Sequence, residues 1–317
     1  MLLLNLIFFV LACTVMLFAG TWLVKCLSKI ASFLRITEFA TAFIVMALAT
    51  SLPELFVGIT SAIQKTPSLS LGNIIGANII NITLITGLIV LVGGGLKIKS
   101  KKMQADARWM SLICLLPLLL ATIGGVLSQV DGIILISVFV LYSSHIIKRK
   151  EAYQKKLKDK VKPLSAFLTT VAFVALIIVL FFAARFAVKY ASLLAFDLKL
   201  PELMIGLFLL SFSTTLPELI FGIRAAQLGH GEMSLGDQIG TIIVNSTAVL
   251  GVVALIQPIS ATIIPFFISA LFLLLAAFLF VTFCQSGKKL DVREGVSLVL
   301  LYIFFVMLEL YVAGKLF

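Results

Sequence analysis

The chain has 317 residues, 61% of them hydrophobic and 12% charged, with a mean hydropathy of +1.19 and a formal net charge of +11. A soluble domain could not bury that much apolar surface, and apolar runs of about 20 residues recur from end to end, so the chain reads as a polytopic helical membrane protein. The runs lack the alternation of barrel strands, and the basic residues sit in short loops, which points to membrane topology rather than nucleic-acid binding.

The first apolar run, residues 2–24, follows no basic segment and reads as a retained span rather than a cleaved leader. Nine more can be drawn, at about 38–64, 71–93, 107–127, 130–147, 164–190, 203–228, 235–257, 259–284 and 295–315. With the N-terminus outside, 20 of the 25 Lys and Arg residues fall in inner loops; Lys65, Arg185, Lys189, Lys199 and Lys315 do not. The positive-inside rule then places both termini outside an inner (plasma) membrane. The segment 148–163, K-R-K-E-A-Y-Q-K-K-L-K-D-K-V-K-P, is too basic to span and reads as a cytoplasmic linker. It divides the chain into five spans in 1–147 and five in 164–317.

The second span carries A-L-A-T-S-L-P-E at Ala47–Glu54: a carboxylate at membrane depth, directly after a proline. An ionisable group there costs roughly 2.5–3.5 kcal/mol on insertion scales and is read as functional by default. The seventh span repeats it 164 residues later as S-F-S-T-T-L-P-E, Ser211–Glu218. At the same offset Glu38 meets Glu202, Thr50 meets Thr214, and Gly58-Ile59 meets Gly222-Ile223. In the third and eighth spans Gly72, Gly76, Asn81 and Thr83 lie over Gly236, Gly240, Asn245 and Thr247. The repeats cover about 38–93 and 202–257. Each half has an odd number of spans, so the copies enter the membrane in opposite directions, the plan of secondary transporters with midplane sites on broken helices. The expected fold is all-α: ten transmembrane helices in two inverted five-helix repeats.

Pro53 and Pro217 each remove a backbone donor, so carbonyls near Ala47–Thr50 and Ser211–Thr214 lose helical partners. Free carbonyls at membrane depth are tolerated only where they line a cavity or meet a ligand. With the carboxylates and the preceding hydroxyls they form a set of hard oxygen donors suited to Ca²⁺ and Na⁺. No His or Cys joins them, which argues against zinc or copper, and no base at mid-depth could pair with either glutamate. The glycines allow close helix packing, and the amides of Asn81 and Asn245 are expected to face the glutamates. Glu309 and His145, near span ends, read as snorkelling groups. Asp237 and His230 read as groups on an access path at the mouth of the eighth span. Trp22 and Trp109 read as interface anchors, and Cys13, Cys26, Cys114 and Cys284 as packed free thiols without metal spacing.

The doubled T-S-L-P-E-L and G-N-I-I-G-x-N-I-x-N blocks resemble the α-repeats of the Ca²⁺/cation antiporter superfamily, most like the small ten-span prokaryotic sodium/calcium exchangers. The resemblance covers about 90 residues by motif and the whole chain by span count. It implies a divalent site of Glu54, Glu218 and the carbonyls of Thr50 and Thr214. It further implies an inner sodium site at the Ala47 carbonyl, Ser51, Glu218 and Thr241. An outer one would fall at the Ser211 carbonyl, Thr215, Glu54 and position 77, with a central position among Glu54, Glu218, Asn81 and Asn245. The chain departs from that pattern at Ala77, where similar members carry a serine, and at Asn245, where several carry Asp. The first bears on one sodium site and the second removes a third acid.

The implied activity is exchange of Ca²⁺ for Na⁺ by alternating access. Its partners would be these ions and the lipid bilayer, without nucleic acid, resident cofactor or obligate protein partner. Proton-coupled or potassium-dependent exchange is the alternative. A membrane-embedded metal-dependent enzyme would need a nucleophile with a base, and a passive channel would not need closed, repeat-symmetric carboxylates.

Overall fold

The computed structural model describes residues 2–33, 46–98, 101–148, 163–260, 264–287 and 289–316. In chain order the helices are α1 (Leu2–Phe33), α2 (Ala47–Thr50), α3 (Leu52–Ile63), α4 (Pro67–Val92), α5 (Lys101–Gly124) and α6 (Gln129–Lys148). The second half contributes α7 (Pro163–Leu198), α8 (Glu202–Thr214), α9 (Leu216–Gln227), α10 (Gly231–Ile256), α11 (Ile264–Ser286) and α12 (Val292–Leu316). Among the described residues eight helices are long and apolar enough to cross a membrane, and α8 with α9 makes a ninth across a bend of 40°. The start of the 38–64 span and residues 149–162 of the basic linker lie outside the described residues.

Two helices run past their expected ends. α1 continues to Phe33 rather than stopping near 24, and α7 to Leu198 rather than 190. A charged residue ends a hydrophobic stretch but not a helix, because Lys and Arg are good helix formers. Lys25, Arg185 and Lys189 accordingly sit on exposed helical positions. At a rise of 1.5 Å per residue, the 36 residues of α7 reach about 54 Å.

α1 and α7 form the most extensive helix pair. Ala184, Ala187, Ala191 and Ala195 recur at helical spacing and are buried against Phe9, Ala12, Met16 and Ala19. Small residues let two backbones approach where no water drives them together. The Asn5 amide donates to Asp197 at 2.8 Å, so the start of α1 meets the end of α7 and the two run antiparallel. Leu3, Phe18, Leu164 and Phe196 point outward while Thr50, Ser61, Asn73 and Glu54 are buried. Apolar outside and polar inside is the pattern a hydrocarbon solvent selects.

Contacts recur between the halves with the partners exchanged. A side chain at Gly58 would meet Val253 and Ser70; one at Gly222 would meet Ile89 and Ser234, the same trio displaced by 164. Strand β1 (Leu96–Lys97) pairs with β4 (Lys289–Leu290), and β2 (Val126–Leu127) with β3 (Ile259–Ser260), both antiparallel, tying the two ends of α5 to the two ends of α11. The turns after α3 and α9 also match. Gln64, Lys65 and Thr66 donate backward to Thr60, Ala62 and Ser61, as Leu228, Gly229 and His230 do to Arg224, Ala226 and Ala225. Their left-handed residue is Gly229 in one half and Lys65 (φ 61°) in the other.

α4 crosses α8 closely enough that a Cβ at Gly72 would strike the Leu203 carbonyl, and one at Gly206 the Leu69 carbonyl. Past that crossing the α-helical ladder opens into a π-turn at Asn81–Ile85, and α10 does the same at Asn245–Val249. A π-turn inserts one residue and frequently marks a functional position. Here both begin on the asparagines singled out by the repeat.

Candidate functional site

The two Pro-Glu breaks are brought together under α1. A side chain at Gly20 would lie 3.1 Å from Pro217 and 3.3 Å from Pro53, so both prolines pack against one turn of α1. Each break has the same backbone. Ser51 (φ −78°, ψ 1°) and Thr215 (φ −84°, ψ −1°) interrupt the helix with ψ opened to near zero, and each proline sits in the first turn of the next helix. There its missing N–H costs nothing, since first-turn donors have no helical partner anyway. Ser51 donates to the Ala47 carbonyl at 3.1 Å and Thr215 to the Ser211 carbonyl at 3.1 Å. Leu55 and Leu219 then resume the ladder on Ser51 and Thr215. The carbonyls expected to come free at Ala47 and Ser211 are therefore engaged: Ala47 also accepts from the Thr50 hydroxyl at 3.3 Å, and Ser211 from the Thr214 and Thr215 hydroxyls at 3.3 and 2.8 Å. The carbonyls of Thr50 and Thr214 fall between these bonds and take no backbone donor across the break.

Glu54 and Glu218 open α3 and α9, facing the N-terminal ends of those helices, where the dipole favours an anion. Both are fully buried, and none of their four carboxylate oxygens has a hydrogen-bond partner. They are close enough to repel one another. The Thr214 hydroxyl lies beside Glu54 and the Thr50 hydroxyl beside Glu218. Neither satisfies its carboxylate, because Thr214 donates to Asn73 Oδ1 at 3.2 Å and Thr50 is 3.1 Å from the Thr241 hydroxyl.

All the residues singled out from sequence, Ala47, Thr50, Ser51, Glu54, Asn81, Ser211, Thr214, Thr215, Glu218, Thr241 and Asn245, are buried. The Ser51 hydroxyl and both polar atoms of Asn81 have no partner, whereas the Thr215 hydroxyl returns to the Ser211 carbonyl at 2.8 Å. The Asn81 and Asn245 amides, expected to face the glutamates, make no hydrogen bond to either carboxylate. Asn245 donates to Asn78 at 3.4 Å, and Asn78 donates to the Ser246 hydroxyl at 2.8 Å. Asn78, missed from sequence, lies one helical turn before Ile82 on α4, while its repeat position, Ile242, carries no polar group.

Two expectations are corrected. Asp237 is not at an exposed mouth: it is fully buried and its charge reaches Glu218. It lies four and eight residues before Thr241 and Asn245, so helical periodicity puts all three on one face of α10. Glu309 does not snorkel. It is 0% exposed, and the Ser269 hydroxyl of α11 donates to it at 2.6 Å, because this face of α12 turns towards α11 rather than lipid. His145 and His230 are exposed, as are Trp22 and Trp109, with the Lys25 ammonium 4.5 Å from the Trp22 ring. The four cysteines are buried and free.

Among the described residues no three His, Cys, Asp or Glu side chains converge on one point. The donors at the breaks are instead two carboxylates with hydroxyl, amide and carbonyl oxygens. Such a set suits a weakly bound, hard cation that must leave again.

A protein-family model described as sodium/calcium exchanger protein matches residues 4–148 and 168–311. The chain is 30% identical over 305 residues to an uncharacterised membrane protein of Methanocaldococcus jannaschii, covering 96% of this chain and 97% of that one. It is 24% identical over 333 aligned positions to the sodium/calcium exchanger MaX1 of Methanosarcina acetivorans, covering 92% and 94%. Among solved structures it resembles the sodium-calcium exchanger NCX_Mj soaked with 10 mM Na⁺ and zero Ca²⁺, at a TM-score of 0.69 and 27% identity, covering 97% and 99%.

Proposed function

The chain belongs to the sodium/calcium exchanger protein family, and on that premise we propose that it exchanges Ca²⁺ for Na⁺ by alternating access at the Glu54–Glu218 site. The observation that carries this reading is the set of four buried carboxylate oxygens without partners. Left bare, two such charges cost several kcal/mol each. An empty site of charge −2 therefore resists closure, while one Ca²⁺ or several Na⁺ neutralise it. Only loaded forms cross, the two loads compete for the same oxygens, and exchange results without leak. The likeness to two sodium/calcium exchangers supports sodium as the coupling ion over protons or potassium.

Radiocalcium uptake into proteoliposomes, with the opposing cation varied one at a time, tests the reading. Uptake driven by an outward Na⁺ gradient is expected. Uptake driven only by a pH gradient would transfer the reading to proton coupling.

The asymmetry at Ala77 gives a finer test. Its repeat partner Thr241 reaches Thr50, whereas Ala77 offers no hydroxyl and Thr214 turns to Asn73 instead. A missing oxygen ligand or hydrogen bond is worth on the order of 1 kcal/mol, a several-fold change in affinity. Ala77→Ser is expected to lower the Na⁺ concentration for half-maximal exchange several-fold, with calcium affinity little changed. An unaltered sodium dependence would remove position 77 from the ion path.

We further propose the five-plus-five division at 148–163, with that linker cytoplasmic and both termini outside, on the distribution of basic residues. A cysteine introduced at Lys155 should resist an impermeant thiol reagent applied to intact cells. Ready labelling would reverse the orientation.

A further inference from the structure

The two repeats differ at one pair of buried positions between α4 and α10. Asn78 corresponds to Ile242 and Ser246 to Ile82, so a polar pair in one register is an apolar pair in the other. The Asn78 amide donates to the Ser246 hydroxyl at 2.8 Å, which turns its carbonyl oxygen to Asn245. Asn245 donates to that oxygen at 3.4 Å, and its own carbonyl oxygen is fully buried and unpartnered. Its repeat counterpart Asn81 has neither polar atom engaged. Where a second Asn78 would stand, α10 carries Ile242. One of the two asparagines is therefore held by its nitrogen and the other is not held. Asn245 lies one turn beyond Thr241, whose hydroxyl is 3.1 Å from that of Thr50 beside Glu218. Helical spacing puts Asn245 on that same face of α10.

Resting on the ion-exchange reading above, we propose that Asn78 is a positioning residue: set by Ser246, it takes the NH₂ end of Asn245 and so keeps the Asn245 carbonyl oxygen turned to the cation between the glutamates. The need follows from the chemistry of an amide. Its two ends are nearly the same size, but one accepts hydrogen bonds and the other only donates them. A cation is bound by the first and repelled by the second. A carboxylate at position 245 would present an oxygen whichever way it turned. An amide presents one only if something receives its nitrogen. Turning Asn78 over would set its NH₂ against that of Asn245, and turning both would aim the Asn245 NH₂ at the cation. A bound cation also polarises the amide and strengthens its donation to Asn78. Groups that orient a ligand in this way are worth roughly 10–100-fold in affinity for the ion.

The test compares Asn78→Leu in two backgrounds, the wild-type chain and Asn245→Asp. The readouts are the Ca²⁺ concentration for half-maximal uptake into proteoliposomes, the maximal rate, and Ca²⁺ binding in detergent by calorimetry. Leucine keeps the shape of asparagine and removes both polar ends. In the wild-type background it should raise the half-maximal Ca²⁺ concentration and the dissociation constant about tenfold, with the maximal rate little changed. In the Asn245→Asp background the same substitution should shift both by less than about twofold, because a carboxylate has no wrong way round. Ser246→Ala, which releases Asn78 to turn, should weaken binding several-fold in the first background and not in the second. If Asn78→Leu does not fold, Ser246→Ala decides between the same outcomes. Wild-type affinity in both single variants overturns the proposal and leaves the two-glutamate reading standing. So does an equal loss in both backgrounds, which would make Asn78 a packing residue, or a lower maximal rate at unchanged affinity. A wild-type chain that neither binds nor exchanges Ca²⁺ fells the underlying reading, and this one with it.

Discussion

Glu54→Gln and Glu218→Gln should each lower calcium exchange by two orders of magnitude or more while leaving the fold intact. Removing one charge from a buried charged set costs about 3–5 kcal/mol, and every 1.4 kcal/mol is tenfold in affinity. Glutamine keeps the shape of the side chain, and neither carboxylate makes a hydrogen bond that the amide would lose. The ion-free protein should in fact gain stability, because the two carboxylates repel one another and each stands bare in a buried site. Thermal unfolding in detergent with a calcium chelator should therefore show an equal or higher midpoint for both variants. Added Ca²⁺ should raise the wild-type midpoint by mass action and leave the variants unmoved. Near-normal exchange by either variant, or an undiminished calcium shift, would remove that glutamate from the site.

Much of this arrangement was legible in the sequence because it depends on residues that break local rules. A proline followed by a glutamate inside an apolar span has few structural explanations, and its recurrence at an offset of 164 leaves fewer. What was illegible depends on how helices are rotated against one another. Glu309 looked like a snorkelling group because α12 is apolar on nearly every face, so no periodicity shows which side meets α11. The π-turns at Asn81 and Asn245 have no propensity signature, since a shift from four- to five-residue bonding is decided by packing. Asp237 was within reach: its spacing of four and eight from Thr241 and Asn245 places it on the site face. Its burial, however, depends on α2 and α9 closing over that face. The engagement of the Ala47 and Ser211 carbonyls was missed because proline frees the carbonyl four residues back, not the one six back.

Gly76→Ala is expected to reduce exchange at least tenfold, and by more than its effect on stability accounts for. The added methyl would strike the Leu207 carbonyl on α8 and lie 2.7 Å from the Ser211 hydroxyl and 2.8 Å from its Cβ. The Leu207 oxygen already accepts a short bond from Ser211, so neither group can swing aside without breaking that bond. Overpacking of this kind typically costs about 1–3 kcal/mol. The strain does not stay local, because the Ser211 carbonyl holds the break through Thr215, and Thr214 beside it hydrogen-bonds Asn73 across the crossing. Pushing α8 away from α4 by part of an ångström therefore moves the Thr214 carbonyl and Glu218 relative to Glu54. Gly124→Ala is the control: Gly124 is also helical, nothing lies within 4 Å of its added carbon, and its backbone needs no left-handed angle. That variant should exchange normally. If Gly76→Ala matches it in calcium uptake and in thermal midpoint, α4 and α8 do not cross as closely as described. If it loses stability but keeps its exchange rate, the crossing does not position the ion site.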